Sequence, residues 1–139
     1  MIGLDTNVVV RYLVQDEPKQ AKLASRIIEK AVADGKTLMI SLVTLCEIVW
    51  VLERCYKLKR EELIDVIRQL LQTQQIVVES EGVARQACLD FEHGASVDFS
   101  DCLIGRQNVL NGCSFTYTFD KNAAKKLHAA FRFISDSAN

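Results

Sequence analysis

Short β-forming runs alternate with segments of helical rhythm along the whole chain, and this alternation most narrows the folds open to it. Residues 2–4 are a brief apolar run, and residues 6–14 follow with Val8, Val9, Tyr12 and Leu13 at helical spacing. Pro18 opens a second helix to about Ala33, with Ala21, Ala24, Ile27, Ile28, Ala31 and Val32 on its apolar stripe, and Asp34-Gly35 ends it. Residues 38–41 (LMIS) predict another strand, residues 42–56 a helix apolar on nearly every side and therefore buried, and residues 59–72 an outer helix charged on one face. A strand is expected at 75–79 (QIVVE), then a helix at 82–91 with Val83, Ala84, Ala87 and Cys88 inward, and a loop at 93–97. The stretch DFSDCLIGRQNVLNG reads as a helix stopped at Asn111-Gly112, where a left-handed residue is tolerated. SFTYTF is β-rich, 121–130 is helical, and RFI closes the sheet. The pattern predicts an α/β fold, a three-layer α/β/α sandwich with a mainly parallel central sheet. No repeat, low-complexity tract or linker interrupts it, so one domain is expected over 1–139.

Composition excludes several classes of function. Hydrophobic residues make up 49% and charged residues 25%, as in ordinary globular proteins, and 17 Lys plus Arg against 18 Asp plus Glu leave a net charge of -1. That balance speaks against holding nucleic acid by bulk charge, although a basic rim around an acidic site stays open. The five cysteines are widely spaced with no CxxC pair, which points to reduced thiols in a cytoplasmic protein. His93 and His128 are the only histidines and lack HxxxH spacing, so a histidine-ligated zinc site is not expected. No GxSxG, P-loop or GxGxxG occurs, the first residues hold no secretory signal, and no apolar run is long enough to span a membrane.

In folds of this class ligands gather beyond the C-terminal ends of the strands. Acids occupy those positions here. Asp5 follows the first strand, Asp120 follows SFTYTF, Asp98 and Asp101 share a helix face, and Glu47 lies one to two turns into the helix after residues 38–41. Each also lies near a helix start, where acids cap orphan N–H groups, and Thr44 to Glu47 even matches a capping box. If Ser41 is the cap instead, Glu47 is too deep to serve, and its charged neighbour on the same face, Arg54, is two turns away along Trp50 and Val51. Several carboxylates at one sheet edge repel one another, and a divalent cation relieves that; carboxylate oxygens suit Mg²⁺ or Mn²⁺.

The segments DTNVVVRYL, SLVTLCEIVWVL, DFSDCLIG and TFDKNA, in this order, resemble the motifs of the PIN-domain nucleases, and most of all those of VapC-type toxins of toxin–antitoxin pairs. The resemblance covers almost the whole chain. It implies that Asp5, Glu47 and Asp101 bind Mg²⁺ or Mn²⁺, that Asp120 is a less strictly required fourth acid, and that Asp98 is an extra acid ranked below Asp101. Thr6, Asn7, Ser41 and Thr118 are similar to the small polar residues lining the family's site, and each equally suits a turn or a cap. The implied activity is endoribonuclease cleavage by metal-activated water, with Asp5, Glu47, Asp101 and Asp120 as the catalytic set, leaving a 5'-phosphate and a 3'-hydroxyl. RNA, tRNA and rRNA included, is the implied substrate; a homodimer and a cognate antitoxin that blocks the acidic site are the implied partners. Where many members follow the third acid with small residues, this chain has CLIGRQN, so Arg106 is a candidate for shaping substrate choice. Lys57, Lys59 and Arg60, and separately Lys121, Lys125, Lys126 and Arg132, are candidate phosphate contacts or else solvated helix faces. Other readings are an RNA-processing PIN nuclease without an antitoxin, a PIN-like binding module, and a phospho-receiver-like signalling module. The last demands an Asp after the middle strand and a Lys after the final one, where this chain has Ser80 and Ser135-Asp136.

Overall fold

In the computed structural model, residues 1–94 and 96–136 are described, and they divide into two units after Glu81. The first is framed by three parallel strands in the order β1 (Ile2–Gly3), β2 (Leu38–Ile40), β3 (Ile76–Val78), with Ile2 beside Leu38 and Leu38 beside Ile76. Parallel neighbours require a crossover. The pair α1 (Thr6–Val14) and α2 (Pro18–Ala33) supplies the first, and α3 (Leu42–Arg54) with α4 (Arg60–Gln72) the second. The core of this unit holds Val9, Val10, Leu38, Ile40, Leu45, Ile48, Leu52, Leu63 and Ile67, each at most 2% exposed.

The second unit contains α5 (Glu81–His93) from its second residue on, α6 (Phe99–Leu110), β4 (Thr116–Thr118), α7 (Lys121–Lys126) and β5 (Phe131–Phe133). Its strands pair in parallel, with Thr116 beside Phe131, Tyr117 beside Arg132 and Thr118 beside Phe133. Phe91 and Phe99 meet edge to face at 5.4 Å within its core.

The α/β class with parallel strands is therefore as expected, and the described strands lie in two ladders. Other expectations need correction. The helix after β2 is not buried on nearly every side: Leu45, Ile48, Val49 and Leu52 face inward, whereas Val43, Glu47 and Trp50 are exposed. On α2 the apolar stripe is narrower than its sequence, because Ala21, Ala24, Ile28 and Ala31 are buried while Ile27 and Val32 stay exposed. The buried positions are spaced by three, four and three residues, a narrow helical seam, and Ile27 and Val32 fall at its two edges. Helix α7 ends four residues before Ala130, where the Ala130 and Phe131 N–H groups both bond the Leu127 carbonyl and turn the chain into β5. The expected loop at 93–97 starts later, since α5 runs to His93, and its Ala95 lies outside the described residues. At the end of α6, Gly112 takes φ +94°, a conformation that L side chains disfavour.

Ser41 caps α3, its hydroxyl accepting from the Thr44 N–H at 3.1 Å. Ser41→Ala is expected to cost about 1 kcal/mol, the usual worth of such a cap. An unchanged urea midpoint would show that the cap contributes nothing.

Candidate active site

In the first unit two acids meet one threonine. Asp5 sits in extended conformation at the end of β1 and caps α1, its Oδ1 accepting from the Thr6 N–H at 2.8 Å. The Thr6 hydroxyl donates to Glu47 Oε1 at 3.1 Å, linking the start of α1 to the second turn of α3. Thr6 is only 6% exposed, so this hydroxyl is shielded and its bond to a carboxylate has strengthened weight. Main chain and side chain of a single residue thus hold Asp5 and Glu47.

Capping explains Asp5 but not Glu47. With Ser41 as the cap, the Thr44 N–H is already taken and the capping box does not form. Arg54 does not reach Glu47 either; its ion pair is with Glu53 at 3.7 Å. Glu47 is exposed, so the carboxylate stands at the surface and not in an apolar pocket. Asn7, next to Thr6 in sequence, is exposed and lines a groove with Val8, Arg11, Gln20, Leu23 and Ile27. An acid that the sequence reading passed over is Glu79, just after β3, whose Oε1 accepts from the Leu42 N–H at 3.0 Å. The rule of looking for acids after strands points to it directly; QIVVE hid it by ending on it.

The second unit gathers Asp98, Asp101 and Asp120 into one electrostatic group. Asp120 caps α7, its Oδ1 accepting from the Asn122 and Ala123 N–H groups at 2.9 and 3.0 Å. Thr118 fixes the approach, its hydroxyl oxygen accepting from the Asp120 N–H at 2.9 Å. Asp98 stands at the N-cap position of α6 without a side-chain capping bond. Asp101 is half-buried, and its carboxyl is held above the ordinary carboxylate range, first by burial and then by the charges of Asp120 and Asp98.

The basic residues separate into two kinds. Arg106 forms a fork with Asp90, at 2.7 and 2.9 Å, and this pairing is the main reason its guanidinium holds its proton more tightly than usual. Lys121 and Lys125 are exposed, with the Lys121 ammonium 5.6 Å from the Phe133 ring centre. His93 and His128 are exposed, and His93 Nδ1 lies 2.8 Å from the Leu89 carbonyl.

Among the described residues no three His, Cys, Asp or Glu side chains form a ready-made metal cage. The donor chemistry nonetheless suits a hard cation. Mg²⁺ commonly uses one or two carboxylates and keeps several waters, with substrate phosphate oxygens completing its shell. Burial and the charges of Asp120 and Asp98 both disfavour an ionised Asp101, and a bound cation offsets both.

Residues 2–128 match the family model for the PIN domain, and the chain belongs to that family. PIN domains are generally nucleases, and they usually use divalent metal ions. No curated protein matches the chain. Among the described residues no helix is long and apolar enough to cross a membrane.

Proposed function

We propose, on the premise that this chain is a PIN domain, that it is a metal-dependent endoribonuclease in which Asp5, Glu47, Asp101 and Asp120 hold Mg²⁺ or Mn²⁺, with Asp98 as an accessory acid. Since the family match runs through both units, residues 1–139 are taken as one working domain. The observation that carries the proposal is Thr6. It holds Asp5 and Glu47 through its N–H and its hydroxyl, and helix capping accounts for only one of those bonds.

When bound, the cation supplies Lewis-acid activation of water and neutralises charge at the scissile phosphate. The protein's own part is positioning. Thr6 orients Asp5 and Glu47, Thr118 fixes the backbone at Asp120, and Ser41 starts the helix that carries Glu47. Lys121 and Lys125 serve as phosphate contacts. Arg106, forked on Asp90, acts on substrate choice through the N–H groups that the fork leaves over.

The finer reading is a cytoplasmic toxin of a type II toxin–antitoxin pair, working as a homodimer on tRNA or rRNA. Support comes from apolar surface: Leu23 and Ile27 flank the groove along α1 and α2, which suits an apolar antitoxin helix, and Val43 and Trp50 are exposed on α3, which suits a second copy. An adjacent reading frame for a short DNA-binding protein supports the toxin role; without one, RNA processing is favoured.

Incubation of the purified chain with total RNA tests the enzymatic reading. Cleavage is expected with Mn²⁺ or Mg²⁺ and none with EDTA or with Asp5→Asn. Cleavage that persists in EDTA overturns the proposal.

A further inference from the structure

The β4–β5 ladder carries a row of aromatic rings on one face. Side chains alternate along a strand, so Phe115 and Tyr117, on either side of Thr116, project to the same side, and Phe119 follows directly after the strand end. The Phe115 and Tyr117 rings meet edge to face with centroids 5.0 Å apart. Parallel pairing sets Arg132 beside Tyr117, and the Arg132 guanidinium carbon lies 3.9 Å from the centre of the Phe115 ring. Tyr117 is 62% exposed and Phe119 is 78% exposed, and Arg132 is exposed with them.

We infer that this face is a base-stacking platform for single-stranded RNA, formed by Tyr117, Phe119 and the guanidinium plane of Arg132. The inference rests on the nuclease reading and extends it to how the strand is held. An exposed ring at Tyr117 beside a permanently charged guanidinium, with a second exposed ring two residues on at Phe119, is complementary to a strand that offers planar bases and phosphates together. A wholly apolar partner would leave the Arg132 charge without a counterpart. Phe119 directly precedes Asp120, so a base on its ring lies one residue from an acid of the proposed site. A duplex keeps its bases stacked on one another and has none to offer, so the platform selects unpaired RNA and tolerates many sequences.

The test measures binding of a short labelled RNA, single-stranded or annealed, by fluorescence anisotropy in Ca²⁺ buffer, with cleavage kinetics followed separately in Mn²⁺. Tyr117→Ala and Phe119→Ala are each expected to weaken single-strand binding roughly ten-fold, in line with the worth of one base–aromatic stack. Phe119→Trp should bind as the wild type, duplex binding should not change, and in Mn²⁺ the alanine variants should raise KM and leave kcat in place. Both side chains are exposed, so thermal melts should coincide with the wild type. Alanine variants that bind single strands as the wild type does would overturn the inference. So would equal losses for single strand and duplex, or a change in self-association by sedimentation without a change in RNA affinity. Wild-type cleavage that is lost in EDTA would leave the nuclease reading standing in each of those cases. A wild type that binds single strands through these rings yet cleaves nothing would remove the nuclease reading alone.

Discussion

Asp101→Asn is expected to abolish RNA cleavage while leaving the protein folded and, near neutral pH, at least as stable as the wild type. The loss in rate should be on the order of 10²-fold or more, because a catalytic cation stabilises the transition state by several kcal/mol and a missing ligand forfeits much of that. Stability moves the other way for a reason visible at the site. Burial and the charges of Asp120 and Asp98 raise the Asp101 pKa in the folded protein above its ordinary value of 3.8. A raised folded-state pKa means that the contribution of Asp101 to stability is fully present below about 3.8 and is lost as pH rises through the folded value. Asparagine is neutral throughout and escapes that loss. The variant's advantage in thermal melts should therefore vanish in acid and grow toward neutral pH. Added Mg²⁺ should raise the melting temperature of the wild type more than that of the variant, since ligand binding stabilises by mass action. Wild-type-like cleavage would remove Asp101 from the metal set, and a variant that melts lower at neutral pH would assign it a structural role.

Gly105→Ala is expected to destabilise the protein by about 1–2 kcal/mol, against the usual gain of alanine over glycine in a helix. Two effects of opposite sign compete. Alanine contributes up to about 1 kcal/mol of helix propensity. Its Cβ, however, would stand 2.9 Å from the Phe131 ring and 3.0 Å from the Ala130 Cβ, inside ordinary van der Waals contact. Phe131 is 4% exposed and paired in β5, so its ring has little room to retreat. Overpacking of that kind costs about 1–3 kcal/mol, and the clash wins. Gly82→Ala is the control, because a Cβ there meets nothing within 4 Å and only the propensity gain remains. A denaturant midpoint that falls for Gly105→Ala and holds or rises for Gly82→Ala, with the slope unchanged, is the expected pair. Equal midpoints in the two would show that α6 yields at no cost.

Much of the fold was legible because it is local. Pro18 and Asp34-Gly35 bound α2 as read, Ser41 caps α3, and Gly112 takes the left-handed conformation after α6. Turn and cap chemistry acts over a few residues, so a single sequence carries it. Burial is different. The run from Leu42 to Val51 is apolar nearly all round, and nothing in it says that Val43 and Trp50 would be exposed while Leu45 and Ile48 are not at all. Ile27 on α2 misleads in the same way. Which face of a helix is covered depends on elements that pack from elsewhere in the chain.

The candidate site divides along the same line. Sequence alone determined the alternation of strands and helices, the four family motifs, and acids at strand ends and helix starts, because backbone preference and motif spacing are written in neighbouring residues. Tertiary structure decided which acids are spoken for. Asp5 and Asp120 are caps as well as candidate ligands, whereas Glu47 is held by Thr6 from the other end of the first crossover. It also decided that Arg106 is forked on Asp90, that Asp101 resists ionisation, and that Tyr117 and Arg132 stand side by side. Each of these is a contact or a charge interaction between groups brought together by folding, and its strength depends on distance and burial that no spacing along the chain encodes.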